Sequence, residues 1–112
     1  MNEAKTIEFV FSDGTTHDAS MSETSGSLRK CFKNVWSVAP ITFGNTSGDA
    51  TYTIEVSNDD INWFEYNNQS TDVSVADAVD DNHLSWVYMR IVYDSKTETT
   101  GTVRFGLTTK QK

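Results

Sequence analysis

The chain has 112 residues, a formal net charge of −7, 37% hydrophobic and 12% aromatic residues. That is the size of one domain, and it buries roughly two-thirds of its unfolded surface, enough for a core without staples. Nine acidic residues and no Lys or Arg fall between Asp49 and Asp81. This argues against nucleic acid and anionic membrane as primary ligands, because both bind through neutralisation of negative charge. Leu occurs only at Leu28, Leu84 and Leu107, whereas Thr, Ser, Asn and Asp abound, a composition of short strands joined by polar turns.

The first predicted strand runs from Thr6 to Phe11, with Ile7, Phe9 and Phe11 on one face. Ser12-Asp13-Gly14-Thr15 is a turn, and residues 12–27 read as a flexible surface arm, since they are small and polar. His17 falls within that arm. Leu28 to Val38 is extended, with Phe32, Val35 and Trp36 as core candidates, and Pro40 is expected to break it. Cys31, the only cysteine, allows no intrachain disulfide and reads as a buried thiol. Ile41-Thr42-Phe43 forms a short strand before a Gly/Asn/Ser turn.

Ala50 to Tyr66 is a β-hairpin. Tyr52, Ile54 and Val56 alternate with Thr51, Thr53 and Glu55, Ser57 to Asn62 is dense in turn formers, and Trp63 opens the returning strand over the apolar face. Val73 and Val75 mark a weak edge strand over residues 71–76, and residues 77–82 read as an acidic loop or one helical turn. Ser85 to Asp94 is a central strand, apolar on both faces except at Arg90, which needs an acidic partner such as Glu55 or Glu65. Gly101 to Thr109 closes the domain, with Val103, Phe105 and Leu107 inward, and residues 110–112 form a frayed tail. The expected architecture is all-β, a two-sheet antiparallel sandwich of jelly-roll type with seven or eight strands. Its core includes Ile54, Val56, Trp63, Trp86, Ile91 and Phe105.

No constellation carries a chemistry. Asp59-Asp60 and Asp80-Asp81 lack the spacing and glycine of a helical calcium loop, and they read as turn chemistry. His17 and His83 have no Cys or His at ligand spacing, and no serine sits in a nucleophile elbow. The chain therefore reads as a non-enzyme without metal or cofactor. No apolar run reaches the length of a transmembrane helix, and the N-terminus lacks the apolar core of a signal peptide, so the expected setting is a reducing cytoplasm. The residues offered for contact with a partner or a glycan are Trp36, Asp59, Asp60 and Asn62.

Ile54-Glu55-Val56-Ser57-Asn58-Asp59-Asp60-Ile61-Asn62-Trp63 is similar to the strand–turn–Trp hairpin of small β-sandwich domains in tailed-bacteriophage virion proteins. It also resembles the corresponding hairpin of discoidin-like jelly rolls. Asp60 stands where that pattern usually has Gly. Tyr88-Met89-Arg90-Ile91-Val92-Tyr93 and Gly101-Thr102-Val103 resemble later strands of the same domains, so the resemblance spans Ala50 to Thr109. It implies a virion structural role, in capsid decoration, a vertex or head fibre, or the neck or tail. Such a protein would be assembled in the bacterial cytoplasm as a homo-oligomer bound to other virion proteins. A carbohydrate-binding module is the alternative, and it would present two or three exposed aromatic rings along one face.

Overall fold

The computed structural model describes residues 4–29, 34–43, 49–66, 71–73, 77–79 and 87–111. Among them there is no helix. The strands are β1 (Ala4–Glu8), β2 (His17–Asp18), β3 (Glu23–Thr24), β4 (Leu28–Arg29), β5 (Asn34–Phe43), β6 (Thr51–Ser57), β7 (Phe64–Glu65), β8 (Thr71–Asp72), β9 (Asp77–Val79), β10 (Tyr88–Asp94) and β11 (Thr102–Gln111).

Three lanes of the sheets are each built from two pieces. β1 and β2 pair the same edge of β11, β3 and β4 pair the same edge of β10, and β7 and β8 pair the same edge of β6. Counted as lanes in chain order, the sheets read 1-8-3-6 and 2-7-4-5, every contact antiparallel. Lanes 1 and 8, 2 and 7, 3 and 6, and 4 and 5 are neighbours, as if one long hairpin ribbon had been wrapped into two facing sheets. That is the jelly-roll topology, and its eight lanes match the number of strands expected from the turn signals.

The core lies between the sheets and follows from alternation. Along β6 and β10 every second side chain is buried, and the inward residues meet directly across the ladder as Tyr52 and Tyr93, Ile54 and Ile91, and Val56 and Met89. Phe105 and Val103 enter from β11, with Phe9 and Phe11. The Phe105 ring lies 5.2 Å from Tyr52, 5.8 Å from Tyr93 and 6.0 Å from Phe11, so one residue of the first sheet touches three rings. On the outer face of that sheet, Arg104 donates from Nε and Nη2 to the two carboxylate oxygens of Glu8, both at 2.6 Å. This fork fastens β1 to β11, and it holds the Glu8 carboxyl below its ordinary range.

Several expectations need correction. Residues 12–27 are not a free arm: β2 and β3 lie within them, and His17, Ala19 and Ser25 are buried. Ser25 spans the break between β3 and β4, donating its N–H to the Ile91 carbonyl (2.8 Å) while its hydroxyl accepts from the Ile91 N–H (2.9 Å). The side chain thus stands in for a ladder carbonyl. Pro40 does not end a strand but sits inside β5, opposite Phe105. Phe105 gives its carbonyl to Phe9 N–H on the β1 side, so Pro40 and Phe105 form a pair that exchanges no hydrogen bonds. The N–H that proline lacks would have pointed toward the β9 side, past the last described pair, Val38 and Asp77. Residues 77–79 form a strand, not a loop or helical turn, and β11 carries residues 110 and 111 in register, not as a frayed tail. Trp86, Cys31 and His83 lie outside the described residues, as does the side chain of Trp36, whose backbone pairs with Thr109 and Val79.

Candidate functional site

The β6–β7 tip, residues 57–65, collects three of the four contact residues named from sequence. It is organised from within. The Ser57 hydroxyl accepts from the N–H groups of Asp59 (3.2 Å) and Asp60 (3.0 Å) and donates to Asp59 Oδ1 (3.0 Å). Asp59 Oδ1 accepts from the backbone N–H groups of Ile61 (2.9 Å) and Asn62 (2.8 Å), and Oδ2 accepts from Asn62 Nδ2 (2.7 Å). One carboxylate thereby satisfies the donors of a turn too tight to satisfy them by itself. The same bonds, led by the Asn62 and Ile61 N–H groups, hold the Asp59 carboxyl far below the usual carboxylate range. Asp60 takes φ of 62°, the left-handed region that glycine enters freely and Asp tolerates better than most residues. The position where the family pattern has Gly is thus the one that needs that conformation.

Asp59 and Asn62 are therefore structural parts of the turn. What the turn displays is apolar: Ile61 is 78% exposed and Phe64 67% exposed. Neither was singled out from sequence. The available signal was Ile61, an aliphatic residue within an otherwise polar turn.

Trp63 corrects a further expectation. It is half-buried, and it lies outside the core, on the outer face of the second sheet. The Arg90 guanidinium carbon sits 4.1 Å from its ring centroid, and Arg90 Nε donates to Glu55 Oε1 at 2.7 Å. Glu55 lies opposite Arg90 on β10 and opposite Glu65 on β7. Alternation places an outward residue at Arg90, and a partly desolvated cation there is held by one carboxylate and one indole face. Ile54, Val56, Ile91 and Phe105 are buried in the core.

The tip thus offers two exposed apolar side chains on a turn fixed by its own hydrogen bonds, within a stretch that carries acids and no Lys or Arg. Among the described residues no three His, Cys, Asp or Glu side chains gather where they could hold a metal ion. No family model, curated protein or solved structure matches the chain.

Proposed function

We propose that the chain is a non-enzymatic structural protein of a tailed-bacteriophage virion, working through protein–protein contacts. The observation that carries this reading is the β6–β7 tip. Its Ser57–Trp63 turn is organised at the residues that give the family resemblance, and it holds Ile61 out to solvent beside the exposed Phe64 of β7. A rigid turn with exposed apolar side chains loses little conformational freedom on docking, which favours a contact element. The jelly-roll topology supports the reading, since this architecture recurs in viral capsid proteins. It recurs in lectins too, so the topology alone carries no function.

The partner would be another virion protein, and the acidic surroundings of the tip favour a face that supplies Lys or Arg around an apolar pocket. The test uses particles purified by density gradient from a lysate of the strain that encodes the chain. An antibody against the chain should label the particle band, and Ile61→Asp should move the protein from that band to the soluble fractions. A chain that never bands with particles overturns the reading.

A further inference from the structure

His17 is fully buried, and both of its ring nitrogens face acceptors. Nδ1 lies 2.7 Å from Asp13 Oδ1, and Nε2 lies 2.6 Å from the Met21 carbonyl oxygen. A carbonyl oxygen can only accept, so Nε2 carries a proton. The Asp13 carboxyl is held below its ordinary range, first by the Asp18 backbone N–H on Oδ2 (2.9 Å) and then by His17 itself, so it too accepts. Nδ1 must then carry the second proton. The ring stacks on Phe11 (centroids 4.3 Å, planes 20° apart) and meets Tyr93 edge-on at 5.7 Å. The Tyr93 hydroxyl donates to the Ala19 carbonyl at 2.7 Å.

We infer that His17 is a buried imidazolium whose two protons close residues 13–21 into one latched unit against the core, and that loss of one proton opens this latch. A neutral ring can satisfy Asp13 or Met21 but not both, and the unmatched pair would set a ring lone pair against an oxygen. Ionisable groups surround the ring. Asp13 from the turn, Asp18 from β2 and Glu23 from β3 are carboxylates that it stabilises, and β10 contributes the phenol of Tyr93. The latch is closed while the ring holds both protons and open once it has lost one. What it frees is the turn from Asp13 to Met21, which buries Ala19 and covers the Tyr93 hydroxyl.

The test reads ring nitrogen resonances and backbone amide exchange on the full chain across a pH series in which the chain stays folded. Both His17 nitrogens should carry protons at the acid end. Protection of the Ala19 and Met21 amides, which donate to the Gly101 and Asp18 carbonyls, should fall in step with the resonance change that reports loss of one ring proton, after correction for the intrinsic pH dependence of exchange. The Ile54 and Ile91 amides serve as controls and should hold. Asp13→Asn supplies the decisive arm. Its Oδ1 can accept from Asp18 N–H while its Nδ2 donates to His17 Nδ1, so a neutral ring meets both neighbours. This variant should fold and keep the two amides protected at the alkaline end. A singly protonated ring with both amides protected overturns the inference, as does an Asp13→Asn profile identical to that of the parent chain.

Discussion

The two ends of the hairpin-and-loop story in this jelly roll obey the same local chemistry and have opposite fates. In both the β6–β7 tip and residues 11–21, an Asp side chain caps nearby donors: Asp59 accepts from Ile61 and Asn62, and Asp13 from Asp18 and His17. The tip completes its bonds among residues 57–62 and faces solvent. The N-terminal segment adds distant partners to its internal bonds, the Gly101 carbonyl for Ala19 N–H and the Tyr93 hydroxyl for the Ala19 carbonyl, and just past it the Ser22 hydroxyl accepts from Ser95 N–H. A turn closed on itself can protrude and remain ordered, whereas one closed by long-range contacts stays in place only while the core beneath it is intact.

The comparison can be broken most forcefully at Phe105. Phe105→Ala should cost about 3–5 kcal/mol in urea unfolding, because it empties the centre of the ring cluster formed by Tyr52, Tyr93 and Phe11. Amide exchange in that variant should rise at Ala19 and Met21 before it rises at Asn62. Equal loss at both regions would erase the distinction.

Tyr93→Phe is gentler. It leaves the buried Ala19 carbonyl without its donor at a cost of about 1–3 kcal/mol, and the tip amides should not respond. The same burial, aided by Glu98 and Asp49, pushes the Tyr93 phenol up to about 12. Its ultraviolet ionisation should therefore lag behind that of ordinary tyrosines in an alkaline titration.

Acid acts on both regions with one sign. Asp59, Asp13 and Glu8 all have carboxyl pKa values lowered in the folded protein, so each contributes stability that is present above the ordinary carboxylate range. That stability is lost as pH falls through the folded-state values. Unfolding midpoints should decline below about pH 4 and stay level above it with respect to these groups. Asp59→Asn should flatten the part of the decline reported by the tip amides and leave the part reported by Asp18 N–H.

The smallest effect is expected at Asp60, where glycine removes the Cβ that resists a φ of 62°. Asp60→Gly should raise stability by at most about 1 kcal/mol, and Asp60→Val should lower it by about 1–2 kcal/mol. A destabilised glycine variant would mean that the Asp60 side chain contributes more than its backbone costs.

Legibility followed the range of the interactions. Alternation in Thr51–Ser57 marked that strand and its inward residues, since a period of two is a property of the strand itself, whereas Tyr88–Asp94 read as apolar on both faces and only the sandwich shows which face is buried. Ser57, Asp59 and Asn62 marked the tip, since their partners lie within five residues. The same reasoning misassigned Trp63, because period and hydrophobicity do not reveal that the β6–β7 register sets it on the outer face, where it meets an Arg from β10 across β6. It misassigned residues 12–27 because small polar residues look unstructured until the far strands that accept their hydrogen bonds are known.

By itself, then, the sequence determined an all-β class, a count of seven or eight strands and the chemistry of a self-contained turn, all of which depend on neighbours in the chain. Only the tertiary structure decided the wrapping of those lanes into 1-8-3-6 and 2-7-4-5, the passage of β5 through Pro40, the outer position of Trp63 and the burial of His17 between two acceptors. Each of these depends on groups tens of residues apart meeting in space, and their pairing is fixed by burial and hydrogen-bond satisfaction across the assembled sheets.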